Sequence, residues 1–489
     1  MRKYLWAALA LLVSVPAMSA DNVVTYHNSI FRNGAYRVPG LTLAAAANIR
    51  AETVFKTAVT GNIYAQPLYY RAEGASHGVV IVATESNSVY ALDDRSGKTV
   101  WKTQLRASVP LSDLPCGNID PDGITGTPVI DPVAGVVYLD ALTKTSAGPR
   151  HMVYALSLTD GSIVPNWPLD IQMALASAGV TFSSSTQGER SALLLSGNDL
   201  YVTYGGNYGD CGTYNGTVVQ LQTQTPQLLA SWQTRANGGG IWAQGGIAGD
   251  GNSLFVTTGN TMGASHWMDG EAIIRLRPGL VHSTNRNDYF TPSNWKDLDN
   301  SDEDLGGTEA LPISIPVAGS KPALRVIAFG KDGNAYLADR THLGGIGGAI
   351  QVMPASYDAI RTAPAVYQGT STTMVAYTNS GDSQCSFNNV TMLNVAASGS
   401  APMSFAWCAA LNGAGAPIVT TTDGTSNAIV WVVGAEGDNM LHGFNALTGA
   451  VVFSGTGTQM NNLNHFATIL VARSRLYVAA DNKVYAFAF

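Results

Sequence analysis

Residues 88–105 read SVYALDDRSGKTVWKTQL and predict a β-hairpin. The first strand contains Val89 and Ala91, a polar turn ends at Gly97, and the second strand carries Trp101. An isolated two-stranded hairpin is only marginally stable in water. The stretch therefore predicts that the chain contains further copies that pack beside this one.

The copies are present in the sequence. Positions 0, 2, 6 and 10 of the hairpin are Ala91, Asp93, Gly97 and Trp101. Residues 443–453 (GFNALTGAVVF) keep this spacing, and residues 155–167 (ALSLTDGSIVPNW) keep it with two residues added before the tryptophan. Weaker copies have their first position near residues 220, 275, 337, 392 and 486. These positions run from 91 to 486 in seven steps of about 56 residues.

Two further strand-like runs precede each copy, so each unit has four antiparallel strands, the signature of a β-propeller blade. Eight units predict one all-β domain over residues 51–489, an eight-bladed β-propeller. Seven blades are the alternative if one weak copy is an insertion. The last unit stops at residues 483–489 after three strands, and a lone strand at residues 51–60 precedes the first unit. We expect that N-terminal strand to complete the last blade and close the ring.

The ends and the composition indicate an exported protein. Residues 1–20 have a basic start, an apolar run and small residues before a cleavage point, which predicts a signal peptide and a periplasmic or secreted location. Residues 21–50 are then an extension that packs on the propeller. No later run is long and apolar enough for a transmembrane segment.

The net charge of −7 comes without a basic block, which argues against nucleic acid as a partner. We expect a monomer.

Four cysteines in an exported chain predict disulfides. Cys385 and Cys408 lie on segments of one blade that can return as adjacent strands. Cys116 and Cys211 lie in loops of successive blades and could join them on one face. These two pairs are the predicted disulfides.

The repeated Ala-x-Asp-x-x-x-Gly-x-x-x-Trp unit resembles the tryptophan-docking repeat of quinoprotein propellers, which bind pyrroloquinoline quinone (PQQ). Longer strings, among them YHNSIFRNGAY, GITGTPVID and GGIWAQGGIAGDGNSLFVTTGN, resemble exported PQQ-like propellers. For a dehydrogenase the resemblance implies PQQ on a tryptophan floor, Ca²⁺ on its reactive carbonyl and a carboxylate base. Trp242 could be the floor. The chain lacks the adjacent cysteine pair of the large alcohol dehydrogenases, and no calcium ligand set can be matched to it.

The first strand of each propeller blade lines the central channel, and the residues that begin these strands are predicted to lie at its mouth. They include an aromatic residue, arginines, glutamates and a histidine, which together predict a site for a polar ligand. The alternative is that they satisfy one another and buried water. These residues are Gln66, Thr127, Glu189, Arg190, Trp242, Gln244, Glu309, Arg361 and His465.

One acidic stretch, KDLDNSDEDLGG, favours a bound cation. It places Asp297, Asp299, Asp302 and Asp304 in a loop that ends in glycines, and such oxygen ligands suit Ca²⁺. A solvated acidic loop is the alternative. Lys331 lies in the motif GKDGN, which predicts a hairpin turn, with direct contact to a ligand as the alternative.

Two functions follow from these patterns. The favoured one is a non-catalytic scaffold that binds a protein, a glycan or a small polar ligand on its channel face. The other is an oxidoreductase that depends on PQQ and Ca²⁺ and acts on an alcohol or sugar. Whether the chain is an enzyme stays open at this point.

Overall fold

The side chains in the first strand of the hairpin at residues 88–105 point alternately to its two faces, and each face packs against a different neighbouring sheet. In the computed structural model, which describes residues 22–455 and 457–489, Val89 and Ala91 are buried toward the following sheet. Tyr90 and Leu92 are buried on the other face, in a cluster shared with the end of the chain. Successive residues of a strand point to opposite faces. Because both faces are apolar, this sheet is packed between two others.

The described residues form eight such sheets, here called blades 1–8 in chain order. Blade 1 has the strands Leu68–Tyr70, Val79–Thr84, Ser88–Asp93 and Thr99–Gln104, and blade 2 has Val129–Asp131, Val136–Thr145, Gly148–Ser157 and Leu169–Asp170. Blade 3 has a first strand in two pieces, Gln187–Gly188 and Leu194–Ser196, followed by Asp199–Gly206, Thr217–Gln222 and Gln227–Gln233. Blade 4 has Ala248–Gly249, Leu254–Thr258, Ala272–Leu276 and Tyr289–Thr291. Blade 5 has the strands Leu311–Ile315, Ala323–Phe329, Asn334–Asp339 and Gln351–Pro354, and blade 6 has Ala365–Gln368, Thr373–Asn379, Asn389–Val395 and Met403–Ala410. Blade 7 has Ile418–Thr421, Ile429–Val433, Leu441–Asn445 and Val451–Ser454. Blade 8 has Ile469–Ala472, Arg475–Ala480 and Lys483–Ala488, and its fourth strand is the N-terminal Arg50–Ala51.

Two short strands add to this ring in parallel register. Gly345–Ile346 pairs with the fourth strand of blade 4, and Ala35–Arg37 pairs with the first strand of blade 7. The α-helices in the described residues are Leu43–Ala46, Ile171–Ser177 and Trp295–Ser301, and the 3₁₀ turns are Tyr26–Asn28, Leu111–Asp113 and Leu305–Gly307. No helix in residues 22–455 or 457–489 is long and apolar enough to cross a membrane. The predicted signal peptide lies outside the described residues.

The sequence repeat marks the third strand of every blade. All eight repeat positions, from residue 91 to residue 486, fall within third strands. The eight-bladed propeller is therefore confirmed, and the seven-bladed alternative is wrong. A tryptophan opposite the repeat position joins neighbouring blades. In blade 6, Trp407 pairs with Met392 as Trp101 pairs with Ala91 in blade 1. The Trp407 ring lies against Gly449 of the next blade, and its indole donates to the carbonyl of Ala446 at 2.8 Å.

The N-terminal strand closes the ring, but the predicted boundaries of 51–60 are wrong. Arg50 pairs with Ala488 and Ala51 with Phe487, so the strand has only two residues. The Glu52 amide still donates to the Ala486 carbonyl of blade 8 at 2.9 Å. The chain then turns away from blade 8, and the Lys56 amide donates to the Ser96 carbonyl of blade 1 at 2.9 Å. Residues after Glu52 stop pairing with the third strand of blade 8 because they cross from blade 8 to blade 1.

Two disulfides hold loops of the ring. Cys116 joins Cys211, linking the loops that follow blade 1 and lie within blade 3. Cys385 joins Cys408, which fixes the loop between the second and third strands of blade 6 to its fourth strand. Disulfides persist in oxidising compartments. Both bonds therefore suit a protein that works outside the cytoplasm.

Candidate functional site

The N-terminal residues enter the propeller and close one end of its channel. Residues 22–38, here called the channel segment, make backbone hydrogen bonds to the first strands of five blades. Their partners in blades 1, 2, 4, 6 and 7 are Tyr69, Ile130, Gly249, Val366 and Val419, and blade 3 is reached through Arg32. This segment therefore lies inside the ring, against the strands that line the channel.

Arg32 anchors the channel segment. Its side chain is fully buried, and the guanidinium donates to the carbonyls of Ile247 at 3.1 Å, Leu193 at 3.0 Å and Ala192 at 3.3 Å. It also donates to the hydroxyl of Thr25 at 2.7 Å. A guanidinium carries five N–H donors in a fixed plane, so it can bond several carbonyls at once. Arg32 thus ties blades 3 and 4 to the N-terminus.

Three predicted mouth residues lie inside the channel and bond to this segment or to each other. The Gln66 side chain accepts from the His27 amide at 3.0 Å, and the Gln244 side chain accepts from the Tyr26 hydroxyl at 3.2 Å. The Thr127 hydroxyl accepts from the Gln66 amide at 2.9 Å. These three polar groups therefore form hydrogen bonds in the interior of the channel.

Glu309 is the buried acid of the channel. Its side chain is fully buried, and neither carboxylate oxygen has a hydrogen-bond partner among the described residues. Burial raises its pKa to about 7, and the charge of Arg32 acts in the opposite direction. A buried carboxylate without partners is costly unless it takes up a proton. Glu309 is therefore poised to change protonation near neutral pH.

The open end of the channel, here called the mouth, is formed by two sets of loops. One set is the turns between second and third strands, and the other is the connections that lead into first strands. Their contacts show that they meet: Lys331, in the turn of blade 5, lies 2.7 Å from Asp304, in the connection before it. Glu436, in the turn of blade 7, lies 2.6 Å from the His465 ring nitrogen, in the connection after it.

Trp242, Asp304 and Lys331 form one cluster at the mouth. The Trp242 indole donates to Asp304 at 3.0 Å, and the Lys331 ammonium lies 5.3 Å from the centre of the Trp242 ring. The second oxygen of Asp304 accepts from the Asn260 amide at 2.7 Å. Burial raises the pKa of Asp304, and the charge of Lys331 opposes that rise. Burial alone would lower the pKa of Lys331, but Asp304 and Asp302 raise it, so Lys331 stays charged.

The four predicted calcium ligands do not surround one point. Asp297 lies in the helix Trp295–Ser301, and both oxygens of Asp299 accept hydrogen bonds from Thr261. Asp302 ends that helix in the left-handed conformation and pairs with Lys331 at 2.8 Å. Among the described residues, no three of these aspartates offer carboxylate oxygens within 4.8 Å of one another.

A second acidic group lies at the mouth between blades 1 and 3. Glu85 is fully buried and accepts from the Gly123 amide at 2.7 Å. Burial and the neighbouring charge of Asp122 raise the pKa of Glu85 well above its usual value, and burial raises that of Asp122 to about 6. Arg190 lies near both carboxyl groups and donates to Asn118 at 3.4 Å. Of the predicted residues, Glu189 points instead toward the Gly126 amide, 3.1 Å away.

The mouth contains a cavity of ≈ 380 Å³ on the side of blades 6–8. Arg361 lies in its wall and has no hydrogen-bond or ion-pair partner in the part of the chain that the structure describes. The cavity is lined by Asp358, Ala359, Arg361, Thr362, Thr378, Asn379, Ser380, Asn388, Gly413, Ala414, Ala435, Glu436 and His465. A second cavity of ≈ 280 Å³ shares Glu436 and is lined by Tyr64, Asn439, Asn462, Leu463, Asn464 and Asp481 as well.

The loops around the cavity are held by internal bonds. Cys385 is bonded to Cys408, and the amide of Cys385 donates to Asp382 at 2.8 Å. The Asn379 side chain, which faces the cavity, donates to Thr391 at 3.0 Å and to Asp382 at 3.3 Å. The cavity wall in blade 6 is therefore already ordered before any ligand arrives.

Sequence reasoning found some of these groups and missed others. It placed Trp242, Arg361 and His465 at the mouth, where the structure has them, and it placed Lys331 in a hairpin turn with ligand contact as the alternative. It missed Glu85, Glu436 and Asp481, in turns between second and third strands, and Asn379, which ends the second strand of blade 6. The signal was available, because the repeat fixes each third strand and the turn must directly precede it.

Comparison with known proteins identifies the fold. No family model and no curated protein matches the chain. Among solved structures, it resembles quinohemoprotein alcohol dehydrogenase from Comamonas testosteroni (TM-score 0.67, 15% identity, 96% of this chain and 80% of that one). It also resembles a europium-containing methanol dehydrogenase (TM-score 0.65, 14% identity, 94% and 90%) and a quinohemoprotein alcohol dehydrogenase from Pseudomonas putida HK5 (0.64, 13%, 94% and 75%). The resemblance to quinoprotein propellers is confirmed at the level of the fold.

Proposed function

We propose that this chain is an exported binding protein that holds a small, hydroxyl-rich ligand of the size of one or two sugar rings in the mouth of the propeller. The unpartnered Arg361 in the wall of the larger cavity carries the proposal. An exposed arginine beside ordered amide groups offers several unused donors to a polar ligand. The cavity volume lies at the lower end of the range for small-molecule sites.

The composition of the cavity wall favours a hydroxylated ligand. Asn388 can donate and accept, Arg361 donates, and Glu436 accepts. A sugar hydroxyl both donates and accepts, so such a mixed wall can satisfy many hydroxyls at once. Tyr64 in the adjoining cavity offers an apolar ring face for the C–H side of a sugar.

The closed channel sets the direction of entry. Because residues 22–38 pack inside the ring against its first strands, we infer that a ligand enters and leaves through the mouth. This arrangement suits reversible binding by a scaffold and requires no movement through the ring. The two disulfides and the predicted signal peptide favour action in the periplasm or outside the cell.

The test is calorimetric titration of the purified chain with a panel of neutral mono- and disaccharides. Arg361→Ala removes a charged donor, and such hydrogen bonds contribute about 1.5–3 kcal/mol, so affinity should fall roughly tenfold or more. Arg37→Ala is the matched control, since Arg37 is also exposed but lies in the strand Ala35–Arg37 and lines neither cavity. Failure of every sugar to bind, or equal affinities for both variants, would refute the proposal.

A second candidate function is PQQ-dependent oxidation of an alcohol or sugar, and the contact between Trp242 and Asp304 favours it. A half-buried indole, a carboxylate and the charged Lys331 are the groups that a planar acidic quinone and an alcohol proton would require. The similar structures named above are alcohol and methanol dehydrogenases. This group of residues therefore fits the organic part of the cofactor.

The residues do not fit the calcium ion of that cofactor. Both oxygens of Asp304 are occupied by N–H donors, from Trp242, Lys331 and Asn260. A cation at this carboxylate would have to displace the ammonium of Lys331, which like-charge repulsion opposes. We therefore rank oxidation second.

Added PQQ and Ca²⁺ separate the two functions. We expect no dye-linked oxidation of alcohols or sugars with either additive or both. Dye reduction that needs both additives and disappears in Trp242→Ala would make the oxidoreductase the better assignment. The same preparations should be titrated with sugars, so that both functions are measured on one protein.

A further inference from the structure

Three metal-binding atoms converge on blade 1, outside the channel. His77 lies in the loop between the first and second strands, and Asp93 and Asp94 lie at the end of the third strand. The His77 Nδ1 atom is 3.7 Å from Asp93 Oδ2 and 3.9 Å from Asp94 Oδ1. One ligand atom from each residue lies within 4.8 Å of the other two.

In each aspartate, hydrogen bonds hold one carboxylate oxygen, and the other oxygen is turned toward His77. Asp93 Oδ1 accepts from the Ser96 amide at 2.8 Å and the Ser96 hydroxyl at 2.6 Å. Asp94 Oδ2 accepts from the Tyr69 hydroxyl at 2.9 Å and the Gly78 amide at 3.0 Å. The carboxylates are therefore oriented by the fold itself, before any ion binds.

Asp94 supplies an independent observation that points to a ligand at this cluster. Its side chain is only 1% exposed, and its Oδ1 atom has no hydrogen-bond partner among the described residues. A buried carboxylate oxygen without a partner is expensive. It faces the histidine nitrogen at a distance too long for a hydrogen bond, which requires about 2.6–3.2 Å.

We infer that His77, Asp93 and Asp94 form a binding site for a divalent transition-metal ion such as Zn²⁺. Ligands on a tetrahedral zinc ion with bonds of about 2.0–2.1 Å stand about 3.4 Å apart, so small side-chain shifts close the observed distances. An imidazole nitrogen with two carboxylates suits a first-row transition metal, whereas Ca²⁺ and Mg²⁺ take oxygen ligands. His77 is 45% exposed, which leaves a fourth position for water.

The surrounding charges permit this ion. Arg473 of blade 8 lies 3.6 Å from Asp94 Oδ2, the oxygen that faces away from His77. Arg473 and Arg95 both donate to the Ser76 carbonyl, at 3.3 Å and 3.4 Å. Neither guanidinium therefore occupies the position between the three ligand atoms.

The site lies where the ring closes. The Tyr477 hydroxyl of blade 8 donates to the Asp94 carbonyl at 2.8 Å, so blade 8 packs directly against these ligands. A bound ion would connect the loop that carries His77 to the turn that follows Asp93. An ion that binds only the folded chain stabilises it by mass action. The metal therefore reinforces the junction of blades 1 and 8.

Calorimetric titration of the chelator-treated full chain with Zn²⁺ tests the inference, with Ca²⁺ as the comparison ion. We expect one Zn²⁺ per chain, a higher melting temperature with Zn²⁺ and no such effect of Ca²⁺. His77→Ala removes only an exposed side chain and should weaken Zn²⁺ binding tenfold or more. His266→Ala removes another exposed histidine and should leave it unchanged.

Asp94→Asn should also weaken Zn²⁺ binding, while it keeps an oxygen near Tyr69 and Gly78. Absence of Zn²⁺ binding to the wild-type chain at micromolar concentration would overturn the inference. Equal Zn²⁺ affinity of His77→Ala and wild type would overturn it as well, since the ion would then bind elsewhere.

Discussion

Trp101 of blade 1 packs directly against Gly161 of blade 2. A Cβ atom on Gly161 would come within 2.5 Å of the Trp101 ring. The Trp101 indole donates to the carbonyl of Leu158, three residues before that glycine, at 3.0 Å. Gly161 also has a φ of +74°, in the left-handed region that glycine adopts most readily. Close packing and backbone conformation both require glycine here.

Gly161→Ala should therefore destabilise the ring more than an ordinary left-handed glycine substitution does. Gly179 is the matched control, because its φ is +76° and nothing lies within 4 Å of a Cβ there. We expect about 1–2 kcal/mol for Gly179→Ala, from backbone strain alone. Gly161→Ala should cost a further 1–3 kcal/mol or so, from overpacking against Trp101. Urea unfolding measures both, and equal losses would mean that the tryptophan contact is unimportant.

The repeat made the ring predictable, and the channel segment was not predictable by the same means. Trp101 and Gly161 belong to successive copies of the repeat and recur at fixed spacing, so the sequence pattern reveals them. Arg32 bonds to Ile247, 215 residues away, and its neighbours in the segment pair with first strands from several blades. Such a segment shows no repeating sequence pattern, because its residues make their hydrogen bonds to different blades.

Replacing Arg32 should release the channel segment. Arg32→Ala leaves the buried carbonyls of Ile247 and Leu193 without donors, and each unsatisfied group costs about 1–3 kcal/mol. Arg32→Lys keeps the charge but cannot span several carbonyls, so it should be destabilised too. Arg37→Ala, at an exposed arginine of the same segment, should change little. Urea unfolding gives the cost, and limited proteolysis should cut the N-terminus of the Arg32 variants first; resistance equal to wild type would argue against this anchor.

Glu309 should make the ring less stable as pH rises. Its folded pKa of about 7 exceeds the ordinary value of 4.5, so the folded state holds this proton more tightly than the unfolded state does. The stabilisation is complete below pH 4.5 and is lost as pH rises through about 7. Over that window the loss should reach about 3 kcal/mol.

Glu309→Gln keeps the shape of the side chain and removes the proton. Its free energy of unfolding should fall less steeply with pH than that of wild type between about pH 5 and about pH 8. Some slope should remain, because Glu85 and Glu189 also have raised pKa values through burial. Glu303→Gln, at an exposed site, should keep the wild-type slope. An unchanged slope in Glu309→Gln would show that the channel already supplies this carboxylate with a partner.

The mouth was only half predictable, for a geometric reason. Residues that begin first strands, such as Trp242 and His465, follow from the rule that first strands line the channel. Their partners Lys331 and Glu436 come from turns that belong to another part of the blade. The sequence marks those turns, but only the three-dimensional ring shows that they reach the same opening.

Lys331 should control the ionisation of Asp304 beneath it. The ammonium lies 2.7 Å from the carboxylate oxygen that also accepts from the Trp242 indole, so the indole N–H reports on that charge. Lys331→Met removes the largest influence that holds the pKa of Asp304 down, while burial continues to raise it. The titration that the Trp242 indole resonance reports by NMR should therefore move to higher pH, with the resonance identified by its loss in Trp242→Phe. Lys321→Met, at an exposed lysine, should leave the titration where it is. An unmoved midpoint in Lys331→Met would mean that Asn260 and the indole, rather than the ammonium, set the charge of Asp304.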